Sequence, residues 1–142
     1  MIVQPYLFFD GRCEEALDFY RDHAGAEIVC AMRFKDSPEP ASCGEGGTAP
    51  DPEKIMQAGF KLGDCLIMAS DGNCQGKTKF DGFSLALTVK EKAEAERLFA
   101  ALGDGGEVCA PMTETFFSPA FGMVLDRFGV SWMVLVEQEC GA

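Results

Sequence analysis

Two stretches of this chain, residues 15–32 and 94–112, are weak copies of one pattern. The first reads EALDFYRDHAGAEIVCAM and the second reads EAERLFAALGDGGEVCAPM. A constant offset of 79 residues aligns five identical pairs: Glu15/Glu94, Ala16/Ala95, Val29/Val108, Cys30/Cys109 and Ala31/Ala110. A gap-free repeat that spans an amphipathic helix and the strand after it predicts two copies of one module. Paired modules commonly enclose a binding site, so the repeat constrains the fold and the place of a pocket.

The composition suits one domain made of two modules. The chain has 142 residues, of which 47% are hydrophobic, so we expect one domain over residues 1–142. The repeat places the modules at about residues 1–75 and about residues 80–140. The net charge of −11 argues against nucleic-acid and membrane partners, which require clustered Lys and Arg. We also expect no membrane-spanning helix and no signal peptide.

The cysteines indicate a reducing compartment. There are seven, an odd number, and no CxxC motif occurs. This pattern favours free thiols in the cytoplasm over a disulfide framework or a zinc knot. Four of them are expected inside helices or strands as small hydrophobic residues: Cys13, Cys30, Cys65 and Cys109. No basic neighbour activates a thiol, so structural roles are favoured over a catalytic one.

Hydrophobic periodicity predicts the order β-α-β-β-β in both modules. In the first module, Asp10 is expected to cap the helix that ends at Ala24–Gly25, and strands are predicted over residues 2–9, 27–34, 55–62 and 65–70. In the second module, the helix is predicted over residues 90–102, with strands over residues 83–89, 107–115, 120–126 and 130–136.

Two segments break the repeat. Residues 35–54 form an insertion rich in Pro, Gly and Ser, which is typical of a lid, a surface loop or a disordered segment. The insertion contains no large apolar residue, which favours the surface loop or disorder over the lid. The second segment, residues 115–121, contains Phe116, Phe117 and Phe121. Three such rings in one hairpin are expected to pack at a subunit interface or to line a pocket.

The motifs PYLFFDG, EALDFY, DCLIMASD, TETFFSPAFG and DRFGVSWMV together resemble the PhnB-like branch of the vicinal oxygen chelate superfamily. This branch is also labelled 3-demethylubiquinone-9 3-methyltransferase, and the superfamily includes glyoxalase I, bleomycin-resistance proteins and extradiol dioxygenases. The resemblance covers the chain apart from residues 35–54. It implies an α+β fold in which two βαβββ modules form a U-shaped, mostly antiparallel sheet, with helices outside and the ligand on the concave face. It also implies a homodimer.

Metal-dependent members of the superfamily carry His, Gln or Glu at four strand positions. By the resemblance, those positions fall on Pro5, Met68, Ser84 and Met133. Proline and methionine do not bind hard or borderline divalent cations, and one serine hydroxyl cannot hold such an ion alone. Gln4 is one residue from the first position, and a one-residue shift turns a side chain to the other face of a strand. Glu137 follows the last strand, so we predict no metal and no cofactor.

The methyltransferase label lacks support in the sequence. Methyl transfer from S-adenosylmethionine commonly uses a glycine-rich turn between a strand and a helix. Here the glycine-rich residues 103–106 follow a helix, and Gly44, Gly46 and Gly47 lie in the insertion.

Strand alternation predicts an apolar, methionine-rich pocket on the concave face. Its predicted lining is Phe9, Gln57, Met68, Ser70, Ser84 and Met133, with Thr115, Phe116 and Phe117 at its mouth. Such a lining suits a small, partly apolar molecule, and a filled second core without a ligand is the alternative. The single histidine, His23, is expected packed or half-exposed at a helix end, and Trp132 is expected to pack under a helix.

These features predict a cytoplasmic, metal-free, PhnB-like homodimer that binds an unknown small molecule. Two alternatives stay open, which are a divalent-metal lyase or dioxygenase of glyoxalase type and a drug- or metabolite-sequestering resistance protein. No catalytic residue is identified.

Overall fold

The computed structural model of the chain describes residues 1–37, 51–72 and 79–137. The chain divides into two compact units, Met1–Thr78 and Lys79–Ala142. Each unit contains one mixed four-stranded sheet and one α-helix, in the order β-α-β-β-β. The predicted α+β class with two βαβββ modules is confirmed. Predictions on residues 38–50, on Cys74 and on Cys140 lie outside the described residues.

The first unit places its sheet in the order β1-β4-β3-β2, with β1 parallel to β4 and the other pairs antiparallel. Its elements are β1 (Tyr6–Phe8), α1 (Cys13–Ala24), β2 (Glu27–Arg33), β3 (Ile55–Leu62) and β4 (Cys65–Ser70). A short 3-10 turn, Phe34–Asp36, follows β2. The apolar stripe of α1, which is Cys13, Ala16, Leu17 and Tyr20 at helical spacing, is buried, and Gly25 ends the helix with a left-handed φ of 73°. Strand β1 is much shorter than the predicted span of residues 2–9.

A buried carboxylate, and not Asp10, satisfies the backbone at the start of α1. Asp71 directly follows β4 and is 1% exposed. Its Oδ1 accepts hydrogen bonds from the Gly11 and Cys13 backbone N–H groups at 2.9 and 2.8 Å, and its Oδ2 accepts one from Ile55 at 2.6 Å. The predicted N-cap role of Asp10 is therefore wrong. Asp71, which is distant in sequence, supplies the acceptor oxygen that the sequence analysis assigned to Asp10.

The second unit repeats this architecture in the order β5-β8-β7-β6, with β5 parallel to β8. Its elements are β5 (Leu85–Val89), α2 (Lys92–Leu102), β6 (Glu107–Thr113), β7 (Phe121–Leu125) and β8 (Ser131–Val136). Helix α2 contacts β5, β7 and β8. It buries Ala95, Leu98 and Leu102, and Trp132 of β8 is 2% exposed. The prediction that Trp132 packs in the core beneath a helix is confirmed.

The repeat is real, but it contains a one-residue insertion. Glu15 and Glu94 are each the third residue of their helix, in agreement with the offset of 79 residues. Strands β2 and β6, however, begin and end 80 residues apart. The left-handed glycines Gly25 and Gly105 share that larger offset, so the extra residue lies in the turn after α2. The predicted Cys30/Cys109 pair therefore lies in equivalent strands at positions that differ by one residue.

No helix within the described ranges is long and apolar enough to cross a membrane.

Candidate functional site

One face of the first sheet is packed against α1, and the other face is not. The buried face consists of Leu7, Phe9, Ala58, Phe60, Ile67 and Ala69. Because side chains alternate along a strand, the neighbouring residues lie on the opposite face. We call this surface the first open face; it comprises Tyr6, Phe8, Gly59, Leu66 and Met68. Tyr6 and Phe8 stack with ring centroids 5.1 Å apart and are 42% and 55% exposed.

Strand pairing fixes which residues of the first open face are neighbours. Tyr6 pairs with Met68 in the parallel β1/β4 ladder, so both side chains project to the same side. Gly59 lets the neighbouring sulfur atoms approach the backbone at the centre of the face. A Cβ there would lie 3.3 Å from Cys30 Sγ and 3.4 Å from Met68 Sδ. The result is a surface of aromatic rings, sulfur atoms and aliphatic groups.

The placement of Phe9 in the pocket is wrong. Phe9 is fully buried on the helix side of the sheet, with its ring 6.2 Å from that of Tyr20 in α1. The true occupants of the open face in β1 are Tyr6 and Phe8, which the sequence analysis missed. Residues 6–9 read YLFF, so every position is apolar or aromatic and the period of two is invisible. The strand pairing resolves this ambiguity. Tyr6 pairs with Met68, so Tyr6 and Phe8 share the face of Met68, and Leu7 and Phe9 lie on the other.

Three polar groups accompany the apolar side chains of the first open face. Ser70 pairs with Phe8, is 4% exposed, and its Oγ accepts a hydrogen bond from the Gly72 N–H at 2.9 Å. Burial raises the pKa of the Tyr6 phenol, and a hydrogen bond with Ser70 acts in the opposite direction. Tyr6 therefore stays protonated at neutral pH and can donate a hydrogen bond. Gln57 of β3 is exposed and shares the alternation of Gly59.

The second unit has a comparable surface. Trp132, Val134 and Val136 are buried, so the alternate residues of β8 lie on the other side. We call this surface the second open face; it comprises Ala86, Phe121, Met123, Met133 and Leu135. Met133 pairs with Ala86 on one side and with Met123 on the other. Ser84 continues the alternation of Ala86, and its Oγ lies 2.6 Å from Ser131 Oγ. The structure thus brings the predicted pair Ser84 and Met133 onto one face.

The phenylalanine segment between β6 and β7 is ordered by its hydroxyl side chains. Thr115 Oγ1 accepts hydrogen bonds from the Phe117 and Ser118 N–H groups at 3.3 and 3.0 Å. The Ser118 side chain is buried and donates to the Ala120 or Val136 carbonyl. Phe117 packs edge to face on Phe116 and Phe121, with centroids 5.1 Å apart in both cases. The predicted mouth residues therefore adjoin the second open face through Phe121.

The metal-ligand positions change in one respect. Strand β1 has the opposite phase to the predicted one, so continuing its alternation places Gln4, and not Pro5, with Tyr6 and Phe8. Gln4 and Pro5 both precede β1, so the exclusion of Gln4 by its face stays a prediction. In the first unit, Gln4 and Met68 offer one amide oxygen and one thioether, and in the second unit, Ser84 and Met133 offer one hydroxyl oxygen and one thioether. Neither pair is suited to Zn²⁺, Ni²⁺ or Mn²⁺. Within residues 1–37, 51–72 and 79–137, no three His, Cys, Asp or Glu side chains form a candidate metal site.

The thiols divide into one buried group and three exposed groups. Cys13 is fully buried, and burial together with the nearby Asp71 charge raises the pKa of its thiol far above the usual range. It behaves as the predicted small hydrophobic residue. Cys30, Cys65 and Cys109 lie in β2, β4 and β6, so their predicted placement in strands is confirmed, and their side chains are exposed. Cys43 lies outside the described residues.

His23 is a helix-end residue in contact with the core. It is half-buried and stacks on the Phe19 ring with centroids 4.3 Å apart. Its Nδ1 lies 3.1 Å from the Phe19 carbonyl oxygen, one turn earlier in α1. The predicted packed, helix-terminal position is confirmed.

Comparisons with known proteins agree on one family. The model of the 3-demethylubiquinone-9 3-methyltransferase family matches residues 2–135. Protein YjdN of Escherichia coli (strain K12) is 34% identical over 144 residues, which cover 98% of this chain and 97% of that protein. The crystal structure of protein PA1353 from Pseudomonas aeruginosa is 42% identical, with a TM-score of 0.81 and coverage of 98% and 99%. A Bacillus cereus PhnB protein, named after the same methyltransferase, is 25% identical, with a TM-score of 0.76 and coverage of 96% and 99%.

More distant solved structures share the fold alone. A glyoxylase/bleomycin resistance protein/dioxygenase domain from Frankia sp. EAN1pec is 14% identical, with a TM-score of 0.67 and coverage of 99% of this chain and 94% of that domain. The two mixed four-stranded sheets, each with one helix, therefore have the architecture of the glyoxalase and bleomycin-resistance fold.

Proposed function

The chain belongs to the 3-demethylubiquinone-9 3-methyltransferase-like family, and from this premise we propose that it binds a small, partly apolar molecule without a bound metal. The observation that carries the proposal is the first open face. There, the stacked rings of Tyr6 and Phe8 and the side chain of Met68 lie beside the Tyr6 hydroxyl and the buried Ser70 hydroxyl. Apolar linings with few polar groups are typical of small-molecule sites.

Each unit has its own open face, and the two are separate in this proposal. The proposed binding residues of the first unit are Tyr6, Phe8, Gln57, Met68 and Ser70. Those of the second unit are Ser84 and Met133, with Thr115, Phe116 and Phe117 beside them. Methionine adapts its shape to the molecule it contacts, which suits recognition by packing more than by fixed hydrogen bonds. The Tyr6 phenol is the orienting polar group of the first open face, and the Ser84–Ser131 hydroxyl pair is that of the second.

Methyl transfer is not the activity that we propose. The connection from β1 to α1 contains a single glycine, Gly11, and the connection from β5 to α2 contains none. A nucleotide-like methyl donor is usually held by a glycine-rich turn at such a strand-to-helix connection. The family name therefore supplies no mechanism for this chain.

We also propose a homodimer in the cytoplasm. The exposed fractions of Phe116 and Phe117, 92% and 41%, support an apolar contact with a second copy. The three exposed free thiols Cys30, Cys65 and Cys109 support a reducing compartment.

The test of ligand binding uses native mass spectrometry of the purified protein and titration with the anionic aromatic dye 1-anilinonaphthalene-8-sulfonate, which binds to apolar surfaces. Phe8→Ala is expected to weaken dye binding by about threefold or more, because the ring is a main apolar contact of the first open face. Phe83→Ala is the matched control, since Phe83 is 44% exposed and lies outside both open faces. Equal dye affinity in the wild type and Phe8→Ala would contradict the proposed site.

A further inference from the structure

The first unit contains a polar cleft that lies apart from its open face. The cleft has a volume of about 380 Å³, which is at the small end of the range for ligand sites. Its lining residues are Gly11, Glu14, Arg33, Asp51, Glu53, Lys54 and Asp71. None of them belongs to the first open face.

The floor of the cleft is held rigidly. Asp10 adopts a left-handed φ of 52°, and Gly11 follows with a φ of 109°. The Gly11 N–H donates to Asp71 at 2.9 Å, and the Gly11 carbonyl accepts from Lys54 Nζ at 2.8 Å. A non-glycine residue in this conformation is unusual and is kept only where its surroundings fix it. The Gly11 peptide is therefore fixed on both sides, and Lys54 is fixed in the cleft.

Several charged groups of the cleft are already satisfied. The Asp71 carboxylate accepts three backbone hydrogen bonds, from Gly11, Cys13 and Ile55. Both oxygens of Glu53 accept hydrogen bonds from Lys35 Nζ, at 3.0 and 3.1 Å. These two carboxylates shape the cleft and have little capacity left for a ligand.

The other charged groups of the cleft retain hydrogen-bonding capacity. Arg33 donates only through Nη1 among the described residues, to Glu14 Oε2 at 2.7 Å and to the Glu53 carbonyl at 2.5 Å. Its Nε and Nη2 are therefore available, as are two protons of Lys54. On the acidic side, Glu14 Oε1 and Asp51 Oδ2 accept no hydrogen bond from the described part of the chain. The cleft thus presents two cations and four carboxylates, and Glu14 and Asp51 are the two carboxylates with the most remaining acceptor capacity.

We propose that this cleft binds a small zwitterion with a carboxylate and an ammonium group a few atoms apart, the chemistry of a free amino acid. The ligand carboxylate bonds to Arg33 and Lys54, and Arg33 offers the planar fork that carboxylates favour. The ligand ammonium bonds to Glu14 and Asp51. A simple anion is disfavoured by the four carboxylates of the lining, since like charges at short range repel. A simple cation would leave the remaining Arg33 and Lys54 donors without an acceptor.

The inference is independent of the proposed function, because it uses different residues and a different ligand chemistry. Its test is a titration of the full chain, labelled with ¹⁵N, with L-serine, followed by NMR at the Gly11 amide and the Arg33 Nε–H. N-acetyl-L-serine, which lacks the ammonium charge, and L-serinamide, which lacks the carboxylate, are titrated in parallel. We expect saturable shifts with L-serine and affinities at least about tenfold weaker for both derivatives.

The variants Arg33→Met and Lys54→Met are each expected to weaken L-serine binding by about tenfold. Arg127→Met is the matched control, because Arg127 is 32% exposed and forms an ion pair with Asp104, as the 31% exposed Arg33 does with Glu14. Lys54→Met leaves that Arg33–Glu14 pair intact, so it tests the site even if Arg33→Met unfolds the first unit. Equal binding of N-acetyl-L-serine, or no saturable shift with L-serine, would overturn the proposal.

Discussion

The indole N–H of Trp132 donates a hydrogen bond of 2.9 Å to Oδ2 of Asp126, and both residues are buried. The other oxygen of Asp126 accepts from the Phe128 and Val130 backbone N–H groups at 2.9 and 3.0 Å. One carboxylate therefore satisfies three donors that have no access to water. It closes the turn between β7 and β8 and fixes the ring at the centre of the second unit's core.

Asp126→Ala is expected to destabilise the protein by about 3 kcal/mol, because it leaves three buried donors without an acceptor. Asp126→Asn is expected to cost less, since its amide oxygen can still accept from the turn, although its NH₂ group faces the indole donor. Urea unfolding followed by the fluorescence of the single Trp132 measures both. Asp104→Asn, at an exposed carboxylate, is the control. If Asp126→Ala lowers the free energy of unfolding no more than the control does, the buried hydrogen bonds of Asp126 do not stabilise the protein.

Glycine is required in the second sheet where neighbouring atoms occupy the place of a Cβ. At Gly106 a Cβ would overlap the backbone carbonyl oxygen of Leu125, and at Gly122 it would lie 2.7 Å from Phe99 Cε2 and Met112 Sδ. Gly106→Ala is expected to be the more damaging change, because backbone cannot move aside, and Gly122→Ala to cost about 1–3 kcal/mol. Gly59→Ala, with its nearest contact at 3.3 Å, is expected to be the mildest. Thermal unfolding of the three variants gives this order or refutes it.

The pair formed by Glu14 and Arg33 predicts a small dependence of stability on pH. The hydrogen bond from Arg33 lowers the pKa of the Glu14 carboxyl below its ordinary 4.5. A carboxyl whose pKa is lower in the folded state adds stability that is complete above its unfolded pKa and is lost as the pH falls through its folded pKa.

Glu14→Gln is therefore expected to lower stability near neutral pH and to flatten the loss of stability between about pH 6 and about pH 3. The effect is small, since the pair is largely exposed and screened by solvent. Urea unfolding across that pH range, followed by circular dichroism, measures it against Glu96→Gln, an exposed glutamate of α2. A pH profile identical to that of the wild type would contradict the prediction.

Most of the fold is predictable from the sequence because helices and most strands carry a visible period. The stripe of α1, the strands β3 and β4 and the burial of Trp132 follow from alternation or from spacings of three and four residues. In β1 apolar residues occupy both faces, so alternation does not show which face is buried. The predicted pocket therefore included Phe9 and omitted Tyr6.

Other features depend on contacts that local sequence does not contain. Asp71 caps α1 from a position about 60 residues away, so no helix-start motif could reveal it. The repeat gave the right pairing of elements and the wrong register after the helix, because one extra turn residue before Gly105 changes the offset without removing the similarity. The polar cleft was missed for the same reason, since its residues come from four separate segments.

The purified protein is expected to contain no stoichiometric Ni, Zn, Fe or Mn. By the resemblance drawn from the sequence motifs, Met68 and Met133 fall on two of the four expected metal-ligand positions, and thioethers bind such ions poorly. Elemental analysis after dialysis without chelator measures the metal content. If the protein holds about one ion per chain, and Gln4→Ala or Glu137→Ala loses it, the oxygen donors near these positions are sufficient to bind a metal ion and the prediction is wrong.

Phe117 is expected to mediate dimerisation. Its ring joins the 92% exposed Phe116 to Phe121, so the three rings form one apolar patch at the end of the second sheet. With a net charge of −11 the copies repel each other, and the contact must gain its free energy from apolar burial. Phe117→Ala is therefore expected to weaken the dimer by about tenfold or more, as measured by sedimentation at micromolar concentration.

The same variant separates an interface role from a pocket role. Val108→Ala is the control, because Val108 is 51% exposed on β6 and lies outside the aromatic patch. If Phe117 is interfacial, Phe117→Ala dissociates the dimer at a concentration where Val108→Ala remains associated. A dimer that stays intact in Phe117→Ala while dye binding weakens would assign the ring to the ligand site. A wild-type protein that sediments as a monomer would contradict the dimer directly, and the exposed rings would then belong with the second open face.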